Sequence, residues 1–138
     1  MQSCRLIIYH KHPTSARTRF FKLSHGGVCG VEPLPVPAQL LDPPDTSVVS
    51  HPAKLVSEME KALGLAAGGL EVDGEFHAWV DVARGPIEVF LARFTDFDPP
   101  FEAIDGAGGE LIDLAGGRSL APVELELLRK AYECVMEG

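Results

Sequence analysis

Four basic or potentially basic side chains stand at alternate positions of two β-forming runs: His10 and His12 in CRLIIYHKH (4–12), Arg17 and Arg19 in RTRFFKLSH (17–25). If Pro13-Thr14-Ser15-Ala16 turns the chain back tightly, opposed residue numbers sum to about 29. His10 then faces Arg19 and His12 faces Arg17, while Leu6 meets Leu23 and Ile8 meets Phe21. One face of this ribbon is apolar in the middle and cationic at the tip. Such a cluster repels itself unless an anion or an acidic surface lies against it. His10, His12, Arg17 and Arg19 are therefore the candidate anion site, because an Arg can hold a phosphate or carboxylate through two bonds, and either His adds charge below about pH 6.5. The competing reading is a solvated, salt-screened tip. The His10-x-His12 spacing also suits chelation, with ring positions about 6.6 Å apart along a strand, but the neighbouring sequence supplies no third ligand and no metal site is expected.

A second ribbon pairs GEFHAWVDVA (74–83) with PIEVFLARF (86–94) across Arg84-Gly85. Opposed numbers here are expected to sum to about 169. Val80 with Val89, Ala78 with Leu91 and Val82 with Ile87 form the core face. The outer face pairs Trp79 with Phe90, Asp81 with Glu88 and His77 with Ala92. Trp79 and Phe90 are too large and apolar to stand together in water, so the pair is expected to meet the other hairpin, a loop, a ligand or a second subunit, and it is the candidate interface. Asp81 and Glu88 would set like charges opposite one another, an arrangement that raises one carboxyl pKa and suits general acid catalysis. His77 lies about 13 Å from Asp81 along a straight strand, too far to share one substrate atom. Neutralisation of the pair by Arg17, Arg19 or Arg84 is the ordinary alternative.

One stretch has the ingredients of thiol chemistry. In His25-Gly26-Gly27-Val28-Cys29-Gly30 the glycines expose backbone N–H groups, and a Cys with a His makes a nucleophile–base pair. No G-x-S-x-G surrounds it, and nothing identifies a group to orient His25. Gly106-Ala107-Gly108-Gly109 lacks the GK[ST] ending of a phosphate loop, and the H-E-x-x-H and EF-hand patterns are absent, so no cofactor is expected.

The elements that must position these groups follow from punctuation and period. Gly26, Gly27 and Gly30 with five prolines between 33 and 44 make a Pro/Gly-rich crossover over about 26–50, unsuited to a helix or central strand. HPAKLVSEMEKALG (51–64) has helical spacing, with Pro52 in its first turn and Gly64 as its stop. A short strand is expected over 110–114 and a helix from Pro122 to about Met136. The expected class is α+β: an antiparallel sheet built from two β-hairpins in the order β-β-α-β-β-(β)-α, backed by two helices, in a single globular domain over 1–138.

Composition narrows the function. Twenty acidic against twelve basic residues give a net charge of −8, which argues against nucleic acid as a partner. No apolar run reaches the length of a membrane span, and the opening MQSCRLIIYH has no signal-peptide core, so a cytoplasmic protein is expected. Its three cysteines are spaced for neither a disulfide framework nor a zinc site. The reading that follows is a small soluble binding or assembly protein without catalytic machinery. It would self-associate or meet a protein partner through Trp79 and Phe90 and take an acidic partner or small anion at the first hairpin tip. The alternative is a small enzyme, using acid–base chemistry through Asp81, Glu88 and His77 or thiol chemistry through Cys29 and His25.

Overall fold

The computed structural model describes residues 4–30, 34–41, 52–76, 78–83 and 85–137. Their order is β1 (Cys4–Lys11), β2 (Thr18–Lys22), β3 (Ala38–Leu41), α1 (Ala53–Leu63), β4 (Leu70–Val72), β5 (Ala78–Val82), β6 (Gly85–Phe94), α2 (Phe101–Gly106), β7 (Glu110–Ile112), a 3-10 turn (Ala115–Ser119) and α3 (Pro122–Glu137). The α+β class holds, with seven strands in one sheet and three α-helices among the described residues. The sheet runs β3-β5-β6-β1-β2-β7, and β4 pairs with β6.

The sheet is mixed rather than wholly antiparallel. β1 pairs parallel with β6, from Cys4 opposite Glu88 to Tyr9 opposite Arg93. This junction joins the two hairpins, and it accounts for the uninterrupted burial of Leu6, Ile7, Ile8 and Tyr9. A central strand covered on both faces has no solvent side and so loses the polar alternation of a half-exposed ribbon. Ile7, Tyr9, Phe20, Val80, Val89 and Leu91 pack with Leu127, Leu128 and Ala131 of α3. On the opposite face Leu6, Ile8, Phe21, Ala92 and Phe94 pack with Val56, Met59 and Leu63 of α1 and Ile104 of α2. Helices therefore cover both faces.

The first hairpin has the expected register. His10 lies opposite Arg19, and the His12 N–H donates to the Arg17 carbonyl at 3.0 Å. The second does not. Trp79 lies opposite Glu88 and Val82 opposite Gly85, so the bend comes one residue earlier than expected and every pairing moves by two. Both registers send the same side chains inward, because a slip of two preserves the period of a strand. Alternation alone could not choose between them.

Besides the 3-10 turn, three short elements were not foreseen. β3 falls within the proline-rich crossover, but at the sheet edge, where Pro35 and Pro37 before it withhold no ladder donor from a central strand. Residues 31–33 and 42–50 of that crossover lie outside the described residues. β4 and α2 have only three and six residues, too few to show a period.

α1 ends where expected, at Gly64 with φ of 71°. The buried Glu60 carboxylate then accepts the N–H groups of Gly68 at 2.9 Å and Leu70 at 3.1 Å, tying the helix to the start of β4.

Candidate functional site

Because Ala78, Val80 and Val82 point toward α3, the alternate residues Trp79 and Asp81 point to the α1 side of the sheet, as do Pro86, Glu88 and Phe90 of β6. The pairings align Leu41, Trp79, Glu88 and Cys4 in one row across β3, β5, β6 and β1. Neighbouring strands lie about 4.8 Å apart, so the row spans about 14 Å. Trp79 is half-buried and belongs to neither core. Glu88 beside it has one carboxylate oxygen, Oε1, shielded from solvent with no hydrogen-bond partner among the described residues. A shielded acceptor without a donor is uncommon and costly in a folded protein.

Cys4 closes the row. Burial raises its thiol pKa, and the negative charges of Glu88 and then Glu58 raise it further. Glu58 thus brings a second carboxylate from α1 within electrostatic reach of the row. Next to it, Pro37, Ala38, Gln39, Asp81, Val82 and Ala83 line a cleft of about 300 Å³.

The structure rearranges the groups expected on this face. Phe90 packs against the α1-side core and lies beside Leu6, so it is not Trp79's opposite number. Asp81 lies opposite Pro86, and Glu88 opposite Trp79, so the two carboxylates are not directly opposed. His77 lies outside the described residues. Cys4 and Glu58 were missed because the parallel β1–β6 pairing and the placement of α1 are long-range facts that no local pattern encodes.

The thiol pair does not assemble. His25 Nε2 faces the Gly30 carbonyl at 2.9 Å, so it carries the proton and donates, while Nδ1 accepts the Gly27 N–H at 3.2 Å. Neither nitrogen is left for Cys29. Burial, and secondarily Glu124, pushes the fully buried Cys29 thiol up to about 12.

At the first hairpin tip the four expected groups do share one face, but they differ in surroundings. His10 is fully buried, with Nε2 at 3.0 Å from the Asp96 carbonyl and 3.1 Å from that of Phe97. Both partners are acceptors, so Nε2 carries the proton, and Nδ1 is shielded without a partner among the described residues. His12 Nδ1 accepts the N–H groups of Thr14 and Ser15 at 3.2 and 3.3 Å, and its Nε2 stands 3.4 Å from Asp98. Arg17 is exposed, whereas Arg19 lies over the Phe101 ring at 5.7 Å. The segment carrying Asp96, Phe97 and Asp98 had no sequence signal linking it to the tip.

Among the described residues no three or more His, Cys, Asp or Glu side chains are grouped to hold a metal ion, and no helix is long and apolar enough to cross a membrane. No protein-family model matches the chain, and no curated protein does. Among solved structures it is similar to the Ap4A hydrolase of C. elegans, with a TM-score of 0.53 and 15% identity over 96% of this chain and 98% of that one. That likeness spans the whole architecture, and it is the fold that the two proteins share.

Proposed function

We propose that this protein is a hydrolase for a nucleotide-like substrate, with the base stacked on Trp79 and the reaction beside Glu88. The observation that carries this reading is the pair itself: a half-buried tryptophan outside both cores, directly opposite a carboxylate with an unpartnered oxygen. An aromatic plane offers stacking to a base, and a carboxylate can accept the proton that an attacking water must lose. The shared fold with an Ap4A hydrolase supports the substrate class. Carboxylates beside a polyphosphate repel it unless a divalent cation stands between, so the assay is run with and without magnesium.

Trp79 is the chain's sole tryptophan, which makes its fluorescence a direct reporter of the face. Ap4A and a panel of mononucleotides should quench it saturably and be cleaved. Glu88→Gln should keep the quench while lowering turnover by about a hundredfold or more. Quenching without turnover would replace the hydrolase with a binding protein, and absence of any quench would sink both readings. A second reading, self-association through this face, draws on Trp79 more than Phe90, since Phe90 already packs under α1. Light scattering across a concentration series tests it: a constant monomer mass would reject it.

A further inference from the structure

We propose that Arg17 and Arg19 form a separate binding site for the phosphate group of a small ligand, at the tip of the first hairpin and independent of the Trp79 face. The two side chains occupy alternate positions of one chain segment, opposite His12 and His10, and so project from the same face about 6.6 Å apart. Among the described residues neither meets a carboxylate within ion-pair distance: the nearby acid, Asp98, is engaged by His12.

Arg19 supplies the observation that separates this tip from a merely solvated one. Its Nε is shielded from water and has no hydrogen-bond partner among the described residues, and its guanidinium is held in place over Phe101. A guanidinium fixed by stacking, with its inner edge shielded and its two terminal nitrogens left outward, is organised to hold an oxyanion across that outer edge. Burial lowers the Arg19 pKa, and the charge of Arg17 lowers it further, so the two cations bear on each other with no anion between them. A phosphate dianion between them relieves that repulsion.

His10 acts as a positioning residue. Its Nε2–H bonds fix the 96–97 backbone beside the tip, leaving Phe97 and Phe101 more than half exposed. Those rings give an apolar margin to the charged centre, suited to the organic part of a phosphorylated small molecule.

The probe is inorganic phosphate, added to the intact protein against chloride at matched ionic strength. The Arg19 Nε–H resonance should shift saturably with phosphate, and the melting temperature should rise through mass action. Arg17→Ala, an exposed substitution that leaves the fold alone, should weaken apparent affinity about tenfold or more. Arg19→Lys keeps the charge but removes the fork and should weaken the phosphate-dependent rise in melting temperature to a similar degree. Trp79→Ala should leave phosphate binding unchanged, which separates this site from the hydrolase face. An Arg19 resonance unmoved by phosphate, or moved equally by chloride, overturns the proposal, as does unaltered affinity in Arg17→Ala.

Discussion

The Glu124 carboxylate on α3 accepts the backbone N–H of Cys29, 95 positions earlier in the chain, at 3.2 Å, and the same oxygen accepts that of Val28 at 2.9 Å. The contact is tight: a Cβ on Gly27 would come within 2.7 Å of this oxygen. Glu124→Ala leaves two buried donors unsatisfied and should cost about 2–4 kcal/mol in urea unfolding, with Glu124→Gln losing less because an amide oxygen still accepts. Amide exchange at Val28 and Cys29 should accelerate in the alanine variant. Unchanged stability in that variant would show that this carboxylate does not hold the loop to the helix.

Thiol labelling tests the Cys29 assignment. With its pKa near 12 and no exposed surface, Cys29 should resist an aromatic disulfide reagent at pH 8 and react only on unfolding. Cys29→Ser should therefore leave the number of rapidly reacting native thiols unchanged. Fast labelling of Cys29 in the native state would restore it as a nucleophile.

Tyr9 gives a signed pH dependence. Burial first, then the charge of Asp73 3.5 Å from its hydroxyl, pushes its pKa up to about 12. An unfolded tyrosine loses its proton near pH 10, so between about pH 10 and 12 the folded chain holds the proton more tightly. The contribution is complete below pH 10 and falls away as pH rises toward 12. Its size is about 1–3 kcal/mol. Tyr9→Phe should flatten that part of the stability profile; an unchanged alkaline slope would contradict the assignment.

Trp79 and Leu91 should respond unequally to truncation. Leu91 is fully buried on β6, and Leu91→Ala should cost about 2–5 kcal/mol. Trp79→Ala, outside both cores, should cost less than half as much while abolishing nucleotide binding. A Trp79 variant as unstable as the Leu91 variant would make the tryptophan a core residue and remove the main support for a ligand face.

The first hairpin was fully legible because a four-residue turn and an apolar centre left one register open, and the structure pairs His10 with Arg19 accordingly. The α1 stop was legible too, since Gly64 alone could take the left-handed turn. What the sequence withheld were relations between distant segments. Cys4 beside Glu88 depends on two ribbons meeting in parallel, and Asp98 beside His12 depends on a loop folding back across 86 positions. Neither leaves a mark on local composition. The candidate site was therefore legible as residue types, with Trp79 and Glu88 both singled out, but not as neighbours.

The bend between Val82 and Gly85 has a corollary. Shifting it one residue along the chain would re-deal the outer neighbours of Trp79, bringing Phe90 across from it, while every inward-facing methyl group kept its side. A strand of this ribbon thus keeps the same residues inward through a two-residue slide while its outer face meets a new set of neighbours.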